Sequence, residues 1–148
     1  MAARRWSNAP LPEPHLAGLG VGILIHLFLS WRLFAAAWVG QVTGWALVVA
    51  GSAAALWAMA AAAETNLDRP AQLVVGGPYR FSRNPMYVAW DSMYLGLSFL
   101  FNSAWLVLLF PVVVVTTHYV IVRREEPLLE ARFGDEYRSY RARVRRYL

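Results

Sequence analysis

The sequence predicts an all-α protein that spans a membrane, and three observations support this prediction. The chain has 148 residues, of which 58% are hydrophobic. Four apolar stretches, residues 16–34, 38–63, 85–101 and 104–122, each approach the ~20 residues that cross a hydrocarbon layer of ~30 Å. Nearly all charged residues lie outside these stretches. Because lipid offers the backbone no hydrogen-bond partners, spanning segments of this kind have to be helical.

The composition excludes several kinds of site. Cysteine is absent, which rules out disulfides, thiolate metal ligands and cysteine nucleophiles. All 14 basic residues are arginine and the net charge is +5, which suits membrane lipids with anionic headgroups or an acidic ligand. The arginines flank the apolar stretches and do not form a separate basic domain, so nucleic acid is not an expected partner.

Short connections arrange the four stretches as two helical hairpins. The first stretch is too long for the apolar core of a signal peptide, so it is predicted to remain as a span. Residues 35–37 and 102–103 connect the members of each pair. The N-terminus, the 64–84 loop and the C-terminal tail then share one side, which holds every arginine except Arg32. The positive-inside rule places that side in the cytoplasm, so both termini are predicted to be cytoplasmic. The chain is expected to be a multi-pass protein of the cell (inner) membrane, and its sequence leaves the oligomeric state open.

A further helix is predicted after the fourth stretch. Gly134 interrupts it, and residues 135–148 then place an apolar stripe among arginines. The stripe consists of Tyr137, Tyr140, Val144 and Tyr147. This pattern is typical of an interfacial helix at headgroup depth, and also of a helix folded back on the loops of its own protein. The two interpretations can hold together.

The segment "GGPYRFSRNPMY", residues 76–87, lies at the entrance to the third apolar stretch. Its Gly-Gly-Pro start predicts a turn. Asn84 and Pro85 predict the N-cap and first position of a helix, and Arg80 and Arg83 suit headgroups or an anion. Taken alone, a loop that caps a membrane helix explains all of these residues.

Two later motifs change that interpretation. An apolar hairpin follows the loop, and after it come "EEPLLEARFG" and "EYRSYRARVRRY". Together the motifs resemble the isoprenylcysteine carboxyl methyltransferase and phospholipid methyltransferase superfamily of integral membrane enzymes, over residues 64–147. The resemblance implies one membrane domain over residues 1–148, with two N-terminal spans in residues 1–63 and a cofactor-binding unit in residues 64–148.

The resemblance also implies a reaction. The chain would be a methyltransferase that uses S-adenosylmethionine as methyl donor and modifies a lipophilic acceptor from the bilayer. Carried over position by position, the cofactor-binding residues would be Glu64, Ala71, Gln72, Leu73, Val74, Tyr79, Asn84, Pro85, Met86, Tyr87 and Glu125. Carboxylates suit ribose hydroxyls or an amino group, and aromatic rings suit adenine and the sulfonium.

Two positions depart from the family pattern and bear on the acceptor. Asn84 stands where the family most often has histidine. The asparagine side chain can still form hydrogen bonds, and it is expected to cap the helix. Ile121 stands where prenylcysteine enzymes have the arginine that receives the substrate carboxylate, which disfavours a prenylcysteine substrate. A phospholipid amine N-methyltransferase and a non-catalytic protein that keeps the fold remain as alternatives.

Asp91 and His118 are the candidate catalytic residues. Each lies seven residues from its motif, Asp91 after Asn84 and His118 before Glu125, which places both about 10 Å below the cytoplasmic interface. At this depth the two could meet, either to activate or bind the acceptor or as a structural hydrogen bond between helices. Adding His26 would give three possible metal ligands, but their spacing has no metal-site signature, and no metal is expected.

Overall fold

The structure, a computed structural model, describes residues 12–63 and 72–147, and every regular element in these ranges is helical. The prediction of an all-α fold is confirmed. In chain order the elements are α1 (Glu13–Phe28), α2 (Ala37–Ala61), a 3₁₀ turn (Gly77–Arg80), α3 (Pro85–Leu100), α4 (Ala104–Val120), a π-helical turn (Ile121–Glu125), α5 (Glu126–Phe133) and α6 (Asp135–Arg143).

The four long helices form two closely packed pairs. Helix α2 packs chiefly along α3, and α1 chiefly along α4. Glycines bring α2 and α3 into backbone contact: a Cβ atom placed on Gly44 would lie 2.8 Å from the carbonyl oxygen of Gly96, and one on Gly96 would lie 2.8 Å from that of Gly44. Small residues at this crossing let two membrane helices approach closely.

The two short connections dock on each other at one end of the bundle. The Asn102 side chain accepts hydrogen bonds from the backbone N–H groups of Leu33 (3.1 Å) and Phe34 (2.7 Å), and donates one to the Phe34 carbonyl (3.0 Å). The Ala104 N–H donates to the Trp31 carbonyl (3.0 Å). The prediction that the first apolar stretch is helical to residue 34 is therefore wrong: α1 ends at Phe28 because the following backbone bonds to the other connection.

Apolar side chains lie both inside and outside the bundle. One buried cluster joins Ala58 of α2 to Met86 and Ala89 of α3, and a second joins Tyr94 of α3 to Leu106 of α4. Large apolar side chains are also exposed along α1, α2 and α4, among them Leu27, Phe28, Trp38, Val49 and Val112. Exposed apolar surface this extensive is what a lipid environment would cover.

Helix lengths test the predicted number of spans in part. Two helices are long and apolar enough to cross a membrane: Ala37–Ala61, and a continuous helix over Ala104–Phe133 that includes α4 and α5. Helix α1 is apolar but has only 16 residues, as has α3. The prediction of four spans stays a prediction.

The C-terminal segment folds back on the protein. Gly134 adopts a φ of 50° between α5 and α6, as expected for the predicted interruption. Tyr137 and Tyr140 are 1% and 5% exposed, so they pack against the protein and do not project toward headgroups. Helix α6 ends at Arg143, earlier than predicted, because Val144 is extended (φ −117°, ψ 131°) and leads into a strand-like segment.

Candidate functional site

A cavity of about 360 Å³ lies between the loop that precedes α3 and the segment that follows α4. Its volume is in the range of small-molecule sites. From the first side it is lined by Gln72, Leu73, Val74, Tyr79, Arg83, Asn84, Pro85, Met86 and Tyr87. From the second it is lined by Arg124, Glu125, Glu126, Leu128, Leu129, Tyr137 and Tyr140. Apolar and aromatic walls therefore enclose a few charged groups.

The loop side of the cavity is fixed by a turn against α2. Gly77 has a φ of +56°, and a Cβ atom there would lie 2.8 Å from the Ala61 side chain, so glycine is required both for conformation and for space. The 3₁₀ turn that follows brings Tyr79 to the cavity. The Tyr140 hydroxyl donates to the Tyr79 carbonyl at 2.7 Å, which ties this loop to α6.

The start of α3 forms the next part of the wall. Pro85 occupies the first helical position, as predicted. Asn84 is at the N-cap, but the expectation that its side chain caps the helix is wrong: its Nδ2 donates to the Arg146 carbonyl at 3.1 Å. The amide is used for a contact with the C-terminal segment, which sequence spacing does not reveal.

The opposite wall carries Glu125 at the end of a π-helical turn. Such turns contain wider hydrogen-bonded loops than an α-helix, and they occur frequently at functional sites. The Tyr87 hydroxyl donates a hydrogen bond to Glu125 Oε1, so the two walls of the cavity meet through this pair. Glu125 is half-buried, with a neutral phenol as its described hydrogen-bond partner.

Glu126 has different surroundings from its neighbour. Its carboxylate accepts from Arg146 Nε and Nη2, both at 2.8 Å, and lies 3.2 Å from Arg83 Nη1. The Arg83 and Glu126 side chains are only 9% and 10% exposed. The charge of Glu126 is thus balanced by two guanidinium groups that hold the C-terminal segment to the loop.

The phenols around the cavity stay neutral at ordinary pH. Burial, and then the negative charge of Glu125, raise the pKa of Tyr79 to about 12. Burial is likewise the main cause that raises the pKa of Tyr137 and of Tyr140. A neutral phenol keeps its hydroxyl proton and can donate a hydrogen bond as well as accept one.

The residues assigned to the cofactor by resemblance can now be located. Nine of them line this one cavity: Gln72, Leu73, Val74, Tyr79, Asn84, Pro85, Met86, Tyr87 and Glu125. Glu64 and Ala71 lie outside the described residues, as does the side chain of Ile121. The structure brings together residues that are almost 40 positions apart, between Tyr87 and Glu125. Their role toward a cofactor stays a prediction.

Asp91 and His118 have other hydrogen-bond partners than the ones predicted. Asp91 Oδ1 lies 2.9 Å from Nε2 of His15, which is 2% exposed, and His118 Nδ1 lies 3.0 Å from the Tyr147 hydroxyl. The expected direct pair is therefore corrected to two pairs. The seven-residue spacing fixed the depth of each group on its helix but not the direction in which it points. Neither residue belongs to the lining of the cavity.

No cluster of three or more metal-ligating side chains occurs within residues 12–63 and 72–147. His26 lies in the last turn of α1, and its Nδ1 atom is buried without a hydrogen-bond partner in that part of the chain.

Four residues of the site region were not singled out as functional from the sequence. Arg83 was interpreted as suiting headgroups or an anion, and Arg146 only as one of the arginines around the C-terminal stripe, but both neutralise Glu126. Tyr147 was assigned to an interfacial stripe, but it binds His118. His15 gave no signal beyond its position at the start of an apolar helix. Its burial, and so its need for a polar partner, became apparent only from the structure.

Comparison with known proteins bears on the family of the chain. The profile of the phospholipid methyltransferase family matches residues 21–136, which include most of the cavity. An uncharacterized protein of Haemophilus influenzae is 41% identical over 61 residues, which are 41% of this chain and 86% of that relative. No solved structure matches. The family match and the two long apolar helices indicate a membrane protein. Because the match extends over more than half of its length, the chain belongs to the phospholipid methyltransferase family.

Proposed function

We propose that this protein transfers a methyl group from S-adenosylmethionine to the amine of a membrane phospholipid. One observation carries the proposal: nine residues of the family pattern line one cavity, between the loop before α3 and the segment after α4. Membership of the phospholipid methyltransferase family supports methyl transfer in general. The cofactor and the acceptor are our inference.

The chemistry of the lining fits S-adenosylmethionine. Leu73, Val74 and Met86 supply apolar surface for an adenine ring, and the Tyr79 phenol supplies a hydrogen-bonding edge. Bound here, the cofactor would supply a methyl group whose carbon–sulfur bond breaks as the acceptor nitrogen forms the new carbon–nitrogen bond.

The charge pattern fits a cationic cofactor. Glu126 is neutralised by two arginines, whereas Glu125 is held by the Tyr87 hydroxyl. In its ionised form Glu125 is therefore the carboxylate that can balance an added positive charge, or accept hydrogen bonds from an amino or hydroxyl group. In this proposal the cavity binds the cofactor and orients its methyl group toward the acceptor. Such positioning is the main catalytic contribution expected for an in-line transfer.

A phospholipid amine suits Asp91 and His118, which lie on the two helices that lead to the cavity walls. Asp91 is a carboxylate within an otherwise apolar helix, so it attracts an ammonium and repels a carboxylate. An ammonium has to lose a proton before its nitrogen becomes nucleophilic. In this proposal His118 receives that proton and then passes it to water, and Asp91 with His15 holds the headgroup. A prenylcysteine carboxylate would need neither the removal of a proton nor a negative side chain to hold it.

The proposed position in the membrane follows from the arginines. All four long helices would cross the bilayer, α1 and α3 with some local thinning because they are short. The cavity would then face the cytoplasm, on the side that holds every arginine except Arg32.

Methyl transfer in lipid nanodiscs tests the proposal. The purified protein would be given methyl-labelled S-adenosylmethionine and discs that contain phosphatidylethanolamine, its monomethyl derivative, or phosphatidylcholine with a farnesylated cysteine. We expect label in the two amine lipids and none in the prenylcysteine. Label in the prenylcysteine alone would contradict the acceptor, and failure of calorimetry to detect cofactor binding would contradict catalysis altogether.

A further inference from the structure

The segment that follows α6, residues 144–147, forms a strap that is bonded to both sides of the site. It runs beside residues 82–84, where the Arg83 N–H donates to the Arg145 carbonyl at 2.9 Å. The Ser82 hydroxyl and the Asn84 side chain both donate to the Arg146 carbonyl, at 3.2 and 3.1 Å. The strap is therefore fixed through its backbone to the residues immediately before α3.

The strap is also fixed to the other wall of the cavity. The Arg146 guanidinium binds both oxygens of Glu126, the residue next to Glu125. Bidentate pairs of this kind define the orientation of both groups. With its backbone and one side chain held in this way, the strap places Tyr147 at a fixed position.

Tyr147 is directed toward His118. Its hydroxyl lies 3.0 Å from His118 Nδ1, and the two ring centroids are 6.0 Å apart. Burial raises the pKa of Tyr147, Arg146 lowers it, and the negative charges of Asp91, Glu126 and Glu125 raise it further. The phenol thus lies within electrostatic range of both Glu125, in the cavity wall, and Asp91, below it. Through the strap and this contact, Tyr147 links Glu126 in the cavity wall to His118.

We propose that Tyr147 is a positioning residue for methyl transfer, whose hydroxyl accepts the Nδ1–H of His118 and so leaves Nε2 unprotonated to receive the acceptor's proton. The inference rests on the proposed function. A hydrogen bond at one ring nitrogen determines which nitrogen carries the proton in neutral histidine. The Tyr147 phenol keeps its own proton and accepts through its oxygen, 3.0 Å from Nδ1.

The variant Tyr147→Phe tests this inference. It keeps the ring and leaves the backbone contacts of the strap in place. We expect kcat to fall about tenfold, the loss typical of one hydrogen bond, with the affinity for S-adenosylmethionine unchanged. Nitrogen-15 NMR of the histidines, of which the chain has three, should show His118 changing from the Nδ1–H to the Nε2–H form. A structural role alone would not require that change.

Tyr119→Phe is the matched control. Tyr119 is 55% exposed and its ring packs edge-on against His118 at 6.4 Å, but the described hydroxyl contact of His118 is with Tyr147. This variant should keep both kcat and the NMR spectrum. An unchanged kcat in Tyr147→Phe, or an unchanged His118 tautomer, would overturn the inference, as would an equal loss of cofactor affinity. A wild-type protein without methyl transfer would instead refute the proposed function, before any variant is compared.

Discussion

Glu125 and Glu126 are neighbours in sequence with opposite roles, and single substitutions should separate them. In Glu125→Gln the carboxylate that faces the cavity loses its charge. Loss of a charge-assisted hydrogen bond costs about 1.5 to 3 kcal/mol, so affinity for S-adenosylmethionine should fall roughly tenfold to over a hundredfold. The thermal midpoint in detergent should change little. Equal and small effects of Glu125→Gln and Glu126→Gln on calorimetric affinity would contradict the cofactor role.

Glu126→Gln should instead act on stability. It leaves the Arg83 guanidinium, whose side chain is 9% exposed, without its charged partner, and weakens the hold on Arg146. Breaking a buried ion pair by removing one partner costs about 3 to 5 kcal/mol, and the amide of glutamine retains part of the hydrogen bonding. We expect Glu126→Gln to lower the free energy of unfolding by about 3 kcal/mol, measured by thermal unfolding in detergent. Glu125→Gln should not show this loss.

Tyr79 gives the site a predictable response to high pH. The pKa of its phenol is about 12 in the folded protein, against an unperturbed value of about 10. A raised pKa means that its contribution to stability is complete below pH 10 and is lost as the pH rises through 12. Unfolding midpoints measured from pH 9 to 12 should decline less steeply in Tyr79→Phe than in the wild type. Parallel curves would show that Tyr79 titrates as an exposed phenol.

The α2–α3 pair makes a prediction at the scale of helices. A side chain at Gly96 would meet the Gly44 carbonyl at 2.8 Å and the Val48 N–H nitrogen at 2.9 Å, and neither backbone atom can move independently. Gly96→Ala should therefore separate the helices and destabilise the protein by about 1 to 3 kcal/mol, the range for overpacking. Gly20→Ala on α1 is the control, since within residues 12–63 and 72–147 no atom beyond the adjoining backbone of α1 lies within 4 Å of the added carbon. It should be neutral or slightly stabilising. Thermal unfolding in detergent measures both variants, and similar midpoints would contradict the close packing.

At the scale of the whole molecule, topology can be measured directly. With four spans, a reporter enzyme fused after Leu148 and one inserted within residues 64–71 should both be active in the cytoplasm only. A third reporter between α3 and α4, at residues 102–103, should be active only on the far side. A far-side signal from the first fusion would overturn the four-span proposal, but leave the helical fold unaffected.

Local signals in the sequence predicted most of the fold. Helices α2, α3 and α4 were predicted with nearly correct ends because apolar length, Pro85 and the short 102–103 connection are local features. The end of α1 was not predicted correctly, because it depends on a hydrogen bond between Trp31 and Ala104, which are over 70 residues apart. The same limit applies to the strap, whose partners lie about 60 residues before it.

The candidate site was predictable in composition but less so in geometry. The motif residues around Tyr87 and Glu125 were identified from spacing, and they line one cavity. Spacing along a helix gives the height of a side chain, and its direction only relative to other residues of that helix. Asp91 and His118 were therefore placed at similar depth, whereas rotation of each helix about its axis, set by packing, directs them to His15 and Tyr147.

The docked connections have a mechanical consequence. Both connections link the α2–α3 pair to the α1–α4 pair, and they are bonded to each other at the end of the bundle away from the cavity. The two pairs are thus joined at both ends, by the docked connections at Asn102 and by the Tyr87–Glu125 and Arg83–Glu126 pairs at the cavity. Helices of this length reach about 25 Å, so a rotation of about 5° at Asn102 would widen the cavity by about 2 Å once those pairs were broken. Spin labels at Phe81 and Leu128, near the cavity, should accordingly show a broader distance distribution in Glu126→Gln than in the wild type, whereas labels at Trp38 and Leu108, near Asn102, should not change.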